Sequence, residues 1–224
     1  MQFQEISVAG LCQDCAMAVS RRYGGQDAAD RVAERRAKLL AAGLELMGTR
    51  GTAGTTVRGV TEASGVAPRY FYESFADIEA LQLAVYTDII DEAARRSVTA
   101  LEQAAGDATA RTRAVLRELV DLILGDPRKG RILVVEATAS PELGRRSLAE
   151  SNRFAGMLAA TAAGSDPGRG AADLPVDLRL VAQFLVGGVN ATIGAVLLGD
   201  VDVDREHLVE VLVSLFDAIR VRPA

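Results

Sequence analysis

Residues 55–75 constrain the fold of this chain more than any other segment of its sequence. Val57 and Val60 lie one helical turn apart, so a short helix here has an apolar inner face. Gly65 then supplies a sharp turn, and Pro68 opens a second short helix because its fixed φ suits the first helical position. Two short helices joined by such a tight turn indicate a helix-turn-helix unit.

A longer amphipathic helix precedes this unit. From Asp30 onward, apolar residues recur on one side at about 100° per residue: Val32, Leu39, Leu40, Gly43, Leu46 and Met47. Glycines at positions 48, 51 and 54 end this helix. Thr55 follows, where its hydroxyl is expected to cap a second helix from about Thr56 to Ser64. The third helix is predicted to end near Phe75.

The rest of the chain also shows helical patterning. Residues 1–27 lack a sustained period and close with a turn-like cluster at Tyr23 to Asp27, so we interpret them as an N-terminal extension. Downstream, six more helices fit between breaks near residues 105, 126, 141, 164–175 and 199. The sequence therefore predicts an all-α protein of about nine helices. A three-helix helix-turn-helix domain spans 28–78, and a larger C-terminal helical bundle spans 79–224.

Charge is distributed unevenly along the chain. The formal net charge of −5 argues against a protein that coats nucleic acid with its whole surface. Residues 21–75, however, hold nine basic and six acidic side chains and carry +3, which leaves −8 for the remainder. A small basic domain joined to an acidic body would show this asymmetry.

Cysteine content and N-terminal charge predict a cytoplasmic location. Only Cys12 and Cys15 could form a disulfide, and no Lys or Arg precedes Arg21, so the start lacks the basic region of a secretory signal. The charge-free run from Leu180 to Gly199 is long enough for a membrane span. Polar residues interrupt it and no aromatic anchors flank it, so we expect a buried helix instead.

One face of the predicted third helix carries groups that recognise DNA. Both phenylalanines of this helix face the core, whereas Arg69 and Glu73 point away with Tyr70 and Tyr72 beside them. The major groove accepts one helix, Arg can bond guanine bidentately, Glu can accept from cytosine, and Tyr can reach phosphate or a thymine methyl. The N-terminus of the second helix can attract a phosphate through its free N–H groups.

This segment resembles the N-terminal signature of TetR-family regulators over roughly residues 31–86. The residues that carry the resemblance are Ala41-Ala42 through Gly51, Thr55-Thr56-Val57, Gly65-Val66, Tyr72, Phe75 and Leu81. The resemblance implies a DNA-binding domain followed by a bundle that encloses a small-molecule pocket and pairs with a second subunit. Two positions depart from the family: Ala67 stands where a capping Ser is usual, and Ile78 where a phosphate-binding Lys is usual.

The helix-turn-helix pattern and the resemblance together predict a set of DNA contacts: Thr55, Thr56, Arg58, Ala67, Arg69, Tyr70, Tyr72 and Glu73. Two ordinary alternatives exist for this face. The tyrosines could simply pack against the first helix, and Arg69 and Glu73 could form a surface ion pair one helical turn apart. The spacing of the unit favours DNA contact over both.

By the resemblance, the middle helices of the body hold an effector. Candidate pocket residues are Tyr86, Ile90, Leu119, Ile123, Phe154, Met157, Gln183, Phe184 and Asn190. Gln183 and Asn190 lie one heptad apart on an otherwise apolar helix. A buried amide there would bond either a ligand or its own fold.

The last two helices are predicted to form a homodimer interface. Small residues allow close helix approach on one helix, and an apolar stripe marks the other: Gly187, Ala191, Gly194, Ala195, Leu198, Leu208, Leu212, Leu215 and Phe216. The same residues could instead pack within one subunit. Dimerisation would place two third helices one DNA turn apart, about 34–36 Å, on a palindromic operator.

These features predict a DNA-binding transcriptional regulator, a repressor released from its operator by a small-molecule effector. The alternatives are a DNA-binding protein of the same fold without an effector, and a helical protein-interaction module. An enzyme is disfavoured because His207 is the sole histidine and no nucleophile elbow or phosphate-binding loop occurs. Cys12-x-x-Cys15 could be a redox pair or half a zinc site, which a second subunit would complete as a shared Cys₄ site. A lone pair lacks the other ligands within one chain, so mobile thiols are favoured and neither a metal nor a cofactor is predicted.

Overall fold

A computed structural model describes residues 20–162 and 173–219, and within these ranges the chain forms helices and no strand. In the described part of the chain the helices number nine: α1 (Ser20–Arg50), α2 (Val57–Ser64), α3 (Pro68–Ser74), α4 (Ile78–Gln103), α5 (Ala108–Gly125), α6, α7 (Pro141–Ala162), α8 (Val176–Leu197) and α9 (Arg205–Ile219). Helix α6 is continuous but irregular: Pro127–Arg131 is α-helical, Ile132–Glu136 is a π-helical turn, and Ala137–Ala139 is α-helical again. The predicted all-α class is confirmed.

Helix α1 is longer than the sequence indicated. It begins at Ser20, so the expected turn at Tyr23 to Asp27 is wrong. Each helical glycine costs only about 1 kcal/mol, and a helix already nucleated gains a hydrogen bond for each residue that it adds. Residues 28–34 of α1 make little tertiary contact, because all of them are exposed. Val32, predicted to face the core, is therefore on the surface, and the buried stripe starts at Leu39.

One hydrophobic core joins the N-terminal helices to the body. Its most deeply buried side chains come from α1, α2, α3, α4, α6 and α7: Leu39, Met47, Val60, Phe71, Leu81, Tyr86, Ile132 and Leu143. Helices α1 and α4 approach so closely that a Cβ on Gly43 would lie 2.7 Å from a Leu81 methyl. This core crosses the proposed domain boundary at residue 78, so the orientation of α2 and α3 depends on packing against the body.

A second core holds α5, α8 and α9 together. Its buried residues are Leu116, Val120, Ile123, Val189, Ile193, Leu208, Val209, Leu212 and Val213. Helix α8 is long and apolar enough to cross a membrane by length and composition alone, with a mean hydropathy of 1.8, and a single such helix is weak evidence for a span. Only 22% of its apolar window is buried, so the expectation of a buried helix is wrong for one chain.

Candidate nucleic-acid interface

Thr56, not Thr55, caps the second helix. Thr56 has extended backbone angles, and its Oγ1 accepts a hydrogen bond from the Gly59 N–H at 3.1 Å. Thr55 is 3% exposed; its hydroxyl donates to the Gly51 carbonyl at 2.8 Å and its N–H donates to the Thr52 carbonyl at 3.1 Å. The predicted cap at Thr55 is therefore wrong, and its hydroxyl and N–H are both engaged within the fold.

The turn between α2 and α3 depends on the conformation of one glycine. Gly65 is the C-cap of α2 with φ 68° and ψ 15°, in the left-handed region that favours glycine. No atom lies within 4 Å of a Cβ built at this position, so the requirement is for backbone conformation and not for space. Val66, which follows, is buried at 5% exposure and anchors the turn in the core.

Helix α3 is fixed to the core by its two phenylalanines, as predicted. Phe71 is fully buried and Phe75 is 6% exposed, with their ring centroids 5.8 Å apart. Pro68 occupies the start of the helix, also as predicted. Ala67 is the N-cap residue and forms no side-chain cap, so the absence of a hydroxyl there leaves α3 uncapped by a side chain.

The outward face of α3 is polar and aromatic. Arg69 and Glu73 are exposed, and Tyr72 has 61% of its surface accessible while its ring meets Phe71 edge to face. Arg69 Nη2 donates to the Tyr70 hydroxyl at 2.8 Å. Within the described ranges no ion pair joins Arg69 to Glu73, so Arg69 is positioned by the neighbouring phenol instead.

Tyr70 links α3 to α1 through a residue that sequence reasoning missed. The guanidinium carbon of Arg35 lies 4.3 Å from the centroid of the Tyr70 ring, and that of Arg69 lies 4.5 Å from the same centroid. Tyr70 is half-buried against the core, so packing against the first helix is part of its role. The stacking adds the positive charge of Arg35 to the edge of the α3 face. The spacing of Arg31 and Arg35, one helical turn apart, was the sequence signal that could have indicated a basic edge on α1.

Further charges flank the α2–α3 unit. Arg58 lies on the exposed side of α2 and pairs with Glu62 at 2.7 Å, with 88% of its side chain accessible. An exposed pair of this kind is weak and can exchange for a phosphate. At the start of α4, Ile78 is half-buried in the core, and Asp77 caps the helix by accepting from the Ala80 N–H at 2.7 Å. The first turn of α4 thus presents no cation in the position where Lys is usual.

The predicted pocket residues do not converge on one cavity. Tyr86 and Ile90 are buried in the first core, which Phe154 joins, whereas Ile123 is buried in the second. Leu119, Met157 and Gln183 are half-buried. Phe184 is 68% exposed and Asn190 is also exposed, so both are wrong as pocket residues of a single chain, because the face of α8 that carries them points outward.

Polar groups do surround Tyr86 inside the body. Burial raises the pKa of its phenol, although a hydrogen bond with Ser147 acts in the opposite direction. Glu150, 6% exposed, pairs with Arg146 at 2.9 Å and with Arg153 at 2.6 Å on the same helix. Burial, together with the negative charge of Glu150, therefore outweighs the Ser147 hydrogen bond and the charge of Arg146 and raises the pKa of the Tyr86 phenol.

A different cavity opens between α1, α4 and α6. Its volume is about 370 Å³, and its lining is mainly apolar with a charged rim: Ala37, Leu40, Ala41, Leu44, Val85, Asp88, Ile89, Glu92 and Lys129. Glu92 accepts from both Lys129 Nζ and Arg96 Nη2 at 2.6 Å. Two cations therefore pair with Glu92 at the charged rim of this cavity.

The predicted dimer face divides into exposed and buried residues. Gly187, Ala191, Leu198 and Leu215 are exposed, whereas Ala195 and Phe216 are half-buried. Leu208 and Leu212 belong to the second core, and a Cβ on Gly194 would lie 3.0 Å from Val134. These last three residues pack within one chain, so their assignment to the interface is wrong. Sequence reasoning missed other exposed apolar residues on the same two helices: Val176, Leu180, Phe184 and Val211.

Metal ligands are not gathered in the described part of the chain. Residues 28–162 and 173–219 contain no group of three or more His, Cys, Asp or Glu that could hold an ion. Cys12 and Cys15 lie outside the described residues.

Comparison with known proteins supports the helix-turn-helix interpretation. The family model described as "Bacterial regulatory proteins, tetR family" matches residues 39–85, which confirms the resemblance. No curated protein sequence matches this chain significantly. The segment that matches contains the buried stripe of α1, all of α2 and α3, and the start of α4.

Solved structures share the fold beyond this segment. The fatty acid degradation regulator FadR from Bacillus halodurans superimposes with a TM-score of 0.66 at 16% identity, over 81% of this chain and 93% of that chain. FadR from Bacillus subtilis in complex with stearoyl-CoA gives 0.64 at 18%, over 80% and 95%. AibR in complex with isovaleryl coenzyme A and operator DNA gives 0.58 at 17%, over 81% and 97%. The fold of the body is therefore also that of such regulators.

Proposed function

We propose that this chain is a DNA-binding transcriptional regulator of the tetR family that acts in the cytoplasm, because residues 39–85 match that family model. The observation that carries the proposal is the outward face of α3. There Arg69, Tyr72 and Glu73 are accessible while Phe71 and Phe75 fix the helix from behind. No catalytic role is part of the proposal.

Each group on this face has a role in the proposed contact. Arg69 is suited to guanine and Glu73 to the amino group of cytosine, whereas Tyr72 can reach a phosphate or a thymine methyl. Arg35 and Tyr70 extend the face toward the sugar-phosphate backbone of one DNA strand. Thr56, Arg58 and Ala67 lie at exposed positions on either side of α3 and complete the proposed contacts, whereas the engaged groups of Thr55 exclude it.

A homodimer is the proposed working form. Val176, Leu180 and Phe184 are each more than 60% exposed on one side of α8, and Val211 and Leu215 are exposed on α9. Several large apolar side chains exposed on two helices of one domain suit a protein interface. A second copy would cover it and bring two α3 helices to one face of the duplex, about 34–36 Å apart, which suits a palindromic operator.

Repression relieved by an effector is the proposed mode of control. An effector that prefers one shape of the body would change the spacing of the two α3 helices, so DNA and effector would compete through one conformational equilibrium. The solved relatives that hold stearoyl-CoA and isovaleryl coenzyme A make acyl-CoA thioesters the first class of effector to test.

The proposal is tested by selecting bound DNA from a random pool with the full chain. A palindromic consensus is the expected result. Affinity for that consensus is then compared between the wild-type chain and Arg69→Ala, with Arg145→Ala on the exposed side of α7 as the matched control. Arg69→Ala should weaken binding by about 1–3 kcal/mol and relax specificity at one base pair, because one base contact is lost. Arg145→Ala should bind like the wild type.

Two outcomes would contradict the proposal. Failure to enrich any sequence would favour a helical protein-interaction module, and equal binding by Arg69→Ala would exclude α3 as the recognition helix. Acyl-CoA thioesters of increasing chain length are added in a second experiment to the complex with the selected DNA. If none of these, nor a wider metabolite set, alters binding, the chain is a DNA-binding protein of this fold without an effector.

A further inference from the structure

A buried polar linkage joins the loop before α2 to the body. Glu136, at the end of the π-helical turn in α6, is 5% exposed. Its Oε2 accepts hydrogen bonds from the Thr52 N–H at 2.7 Å and from the Thr52 hydroxyl at 3.0 Å. The two residues are 84 positions apart in the sequence. The linkage is therefore a purely tertiary contact between the helix-turn-helix domain and the body.

Other groups complete the linkage on both sides. Arg131 Nε donates to the other carboxylate oxygen of Glu136 at 3.2 Å, and Gln82 Nε2 of α4 donates to the Thr52 carbonyl at 2.9 Å. The peptide groups on both sides of Thr52 are thus held by two different helices of the body. Burial alone would raise the pKa of the Glu136 carboxyl, but the hydrogen bonds from Thr52 and Arg131 outweigh burial and lower that pKa.

The approach of Glu136 to this loop leaves no spare room. Gly51, next to Thr52, has φ 76°, and a Cβ on it would lie 3.0 Å from Glu136 Oε1. The apolar contacts around the loop are close-packed but non-directional, so they do not by themselves fix the direction of the Thr52 peptide groups. Buried hydrogen bonds to a carboxylate are directional and are lost over about an ångström of movement.

We infer that Glu136 is a positioning residue for the proposed DNA contact, because it fixes the loop that leads into α2 and thereby the angle at which α3 is presented. The inference rests on the proposed function. The π-helical turn makes this position sensitive to the body: a register change of one residue in α6 would rotate Glu136 by about 100° around the helix axis and break the linkage. A shift in α6 would then change the orientation of α3.

The chain offers a control contact between the same helix of the body, α6, and α1 of the helix-turn-helix domain. Arg128 Nη1 of α6 pairs with Glu45 Oε2 of α1 at 2.8 Å, with about half of each side chain exposed. Arg128 also pairs with Asp126 at 2.8 Å, so it keeps a partner when Glu45 is changed. An exposed ion pair is weak, so it does little to fix the orientation of α1 relative to α6. Glu45→Gln therefore neutralises an α1–α6 ion pair without touching the buried linkage.

Hydrogen exchange of the full chain tests the linkage without DNA. The compared proteins are the wild type, Glu136→Ala, Glu136→Gln, Glu136→Asp and Glu45→Gln, each with melting followed by circular dichroism to establish that it folds. Amide exchange in peptides covering residues 51–56 should rise about tenfold in Glu136→Ala and Glu136→Asp, because neither side chain reaches Thr52. It should rise less than about threefold in Glu136→Gln, whose carbonyl can still accept, and stay unchanged in Glu45→Gln.

Binding to the selected DNA tests the positioning role. Glu136→Ala and Glu136→Asp should lose about tenfold in affinity, whereas Glu136→Gln and Glu45→Gln should stay within about threefold of the wild type. If Glu136→Ala does not fold, the comparison of Glu136→Asp with Glu136→Gln carries the same test. Unchanged exchange in Glu136→Asp would overturn the linkage, and raised exchange with unchanged affinity would overturn its positioning role. Absence of any selected sequence for the wild-type chain would count instead against the proposed function, since the exchange measurement does not depend on it.

Discussion

Replacing Gly65 by Ala should destabilise the chain through the backbone alone. At φ 68° an L-residue brings its Cβ close to the following carbonyl, which costs about 1–2 kcal/mol. No atom lies within 4 Å of the added Cβ, so neither a clash nor a new contact adds to this cost. The free energy of unfolding of Gly65→Ala should therefore fall by about 1–2 kcal/mol, which is a factor of roughly 5–30 in the folding equilibrium.

Urea unfolding at one fixed protein concentration measures this loss, because the stability of a dimer depends on concentration. Gly65→Asn is the matched variant at the same position, since Asn adopts the left-handed conformation more readily than Ala. It should lose less stability than Gly65→Ala while adding a larger side chain. Equal stability of Gly65→Ala and the wild type, or a larger loss in Gly65→Asn than in Gly65→Ala, would refute the argument from backbone conformation.

Three further predictions follow from burial and charge. Phe71→Ala should lower the free energy of unfolding by about 3–5 kcal/mol because the side chain is fully buried. Tyr72→Ala should change it by less than about 0.5 kcal/mol yet weaken binding to the selected DNA. If urea unfolding shows the larger loss for Tyr72→Ala, the assigned faces of α3 are wrong. Arg35→Ala should lower the slope of log affinity against log salt concentration by about one, because one proposed phosphate contact is lost, and an unchanged slope would remove Arg35 from the contact. Phe184→Asp should shift the protein from dimer to monomer in sedimentation without unfolding it, since the residue is 68% exposed in one chain; a dimer of unchanged affinity would place the interface elsewhere.

The helix-turn-helix segment could be predicted because its requirements are local. Gly65 needs a positive φ, Pro68 needs a first helical position, and Phe71 and Phe75 need the same side of one helix. Each requirement is met within a few residues of the chain, so the spacing in the sequence was sufficient to find it. The buried phenylalanines and the accessible Tyr72 follow from the helical period alone.

The cap of α2 and the partner of Tyr70 required the tertiary structure. Thr55 and Thr56 are chemically equivalent candidates, and the Gly51 carbonyl, which binds the Thr55 hydroxyl, decides between them. Arg35 stacks on Tyr70 only because α1 crosses α3 at that point. Neither outcome is encoded by the period of one helix.

In the body, the sequence by itself determined which segments are helical and where their apolar stripes lie. It did not determine which of these stripes pack against each other. Phe184 and Leu212 both lie on apolar helices, yet Phe184 is exposed and Leu212 is buried, because hydrophobic attraction has no direction and any apolar surface of suitable shape can cover a stripe. Glu136 and Thr52 show the same limit for polar groups. A contact across 84 residues exists only once the helices between them have packed, so the tertiary structure alone decided where the helix-turn-helix domain is held by the body.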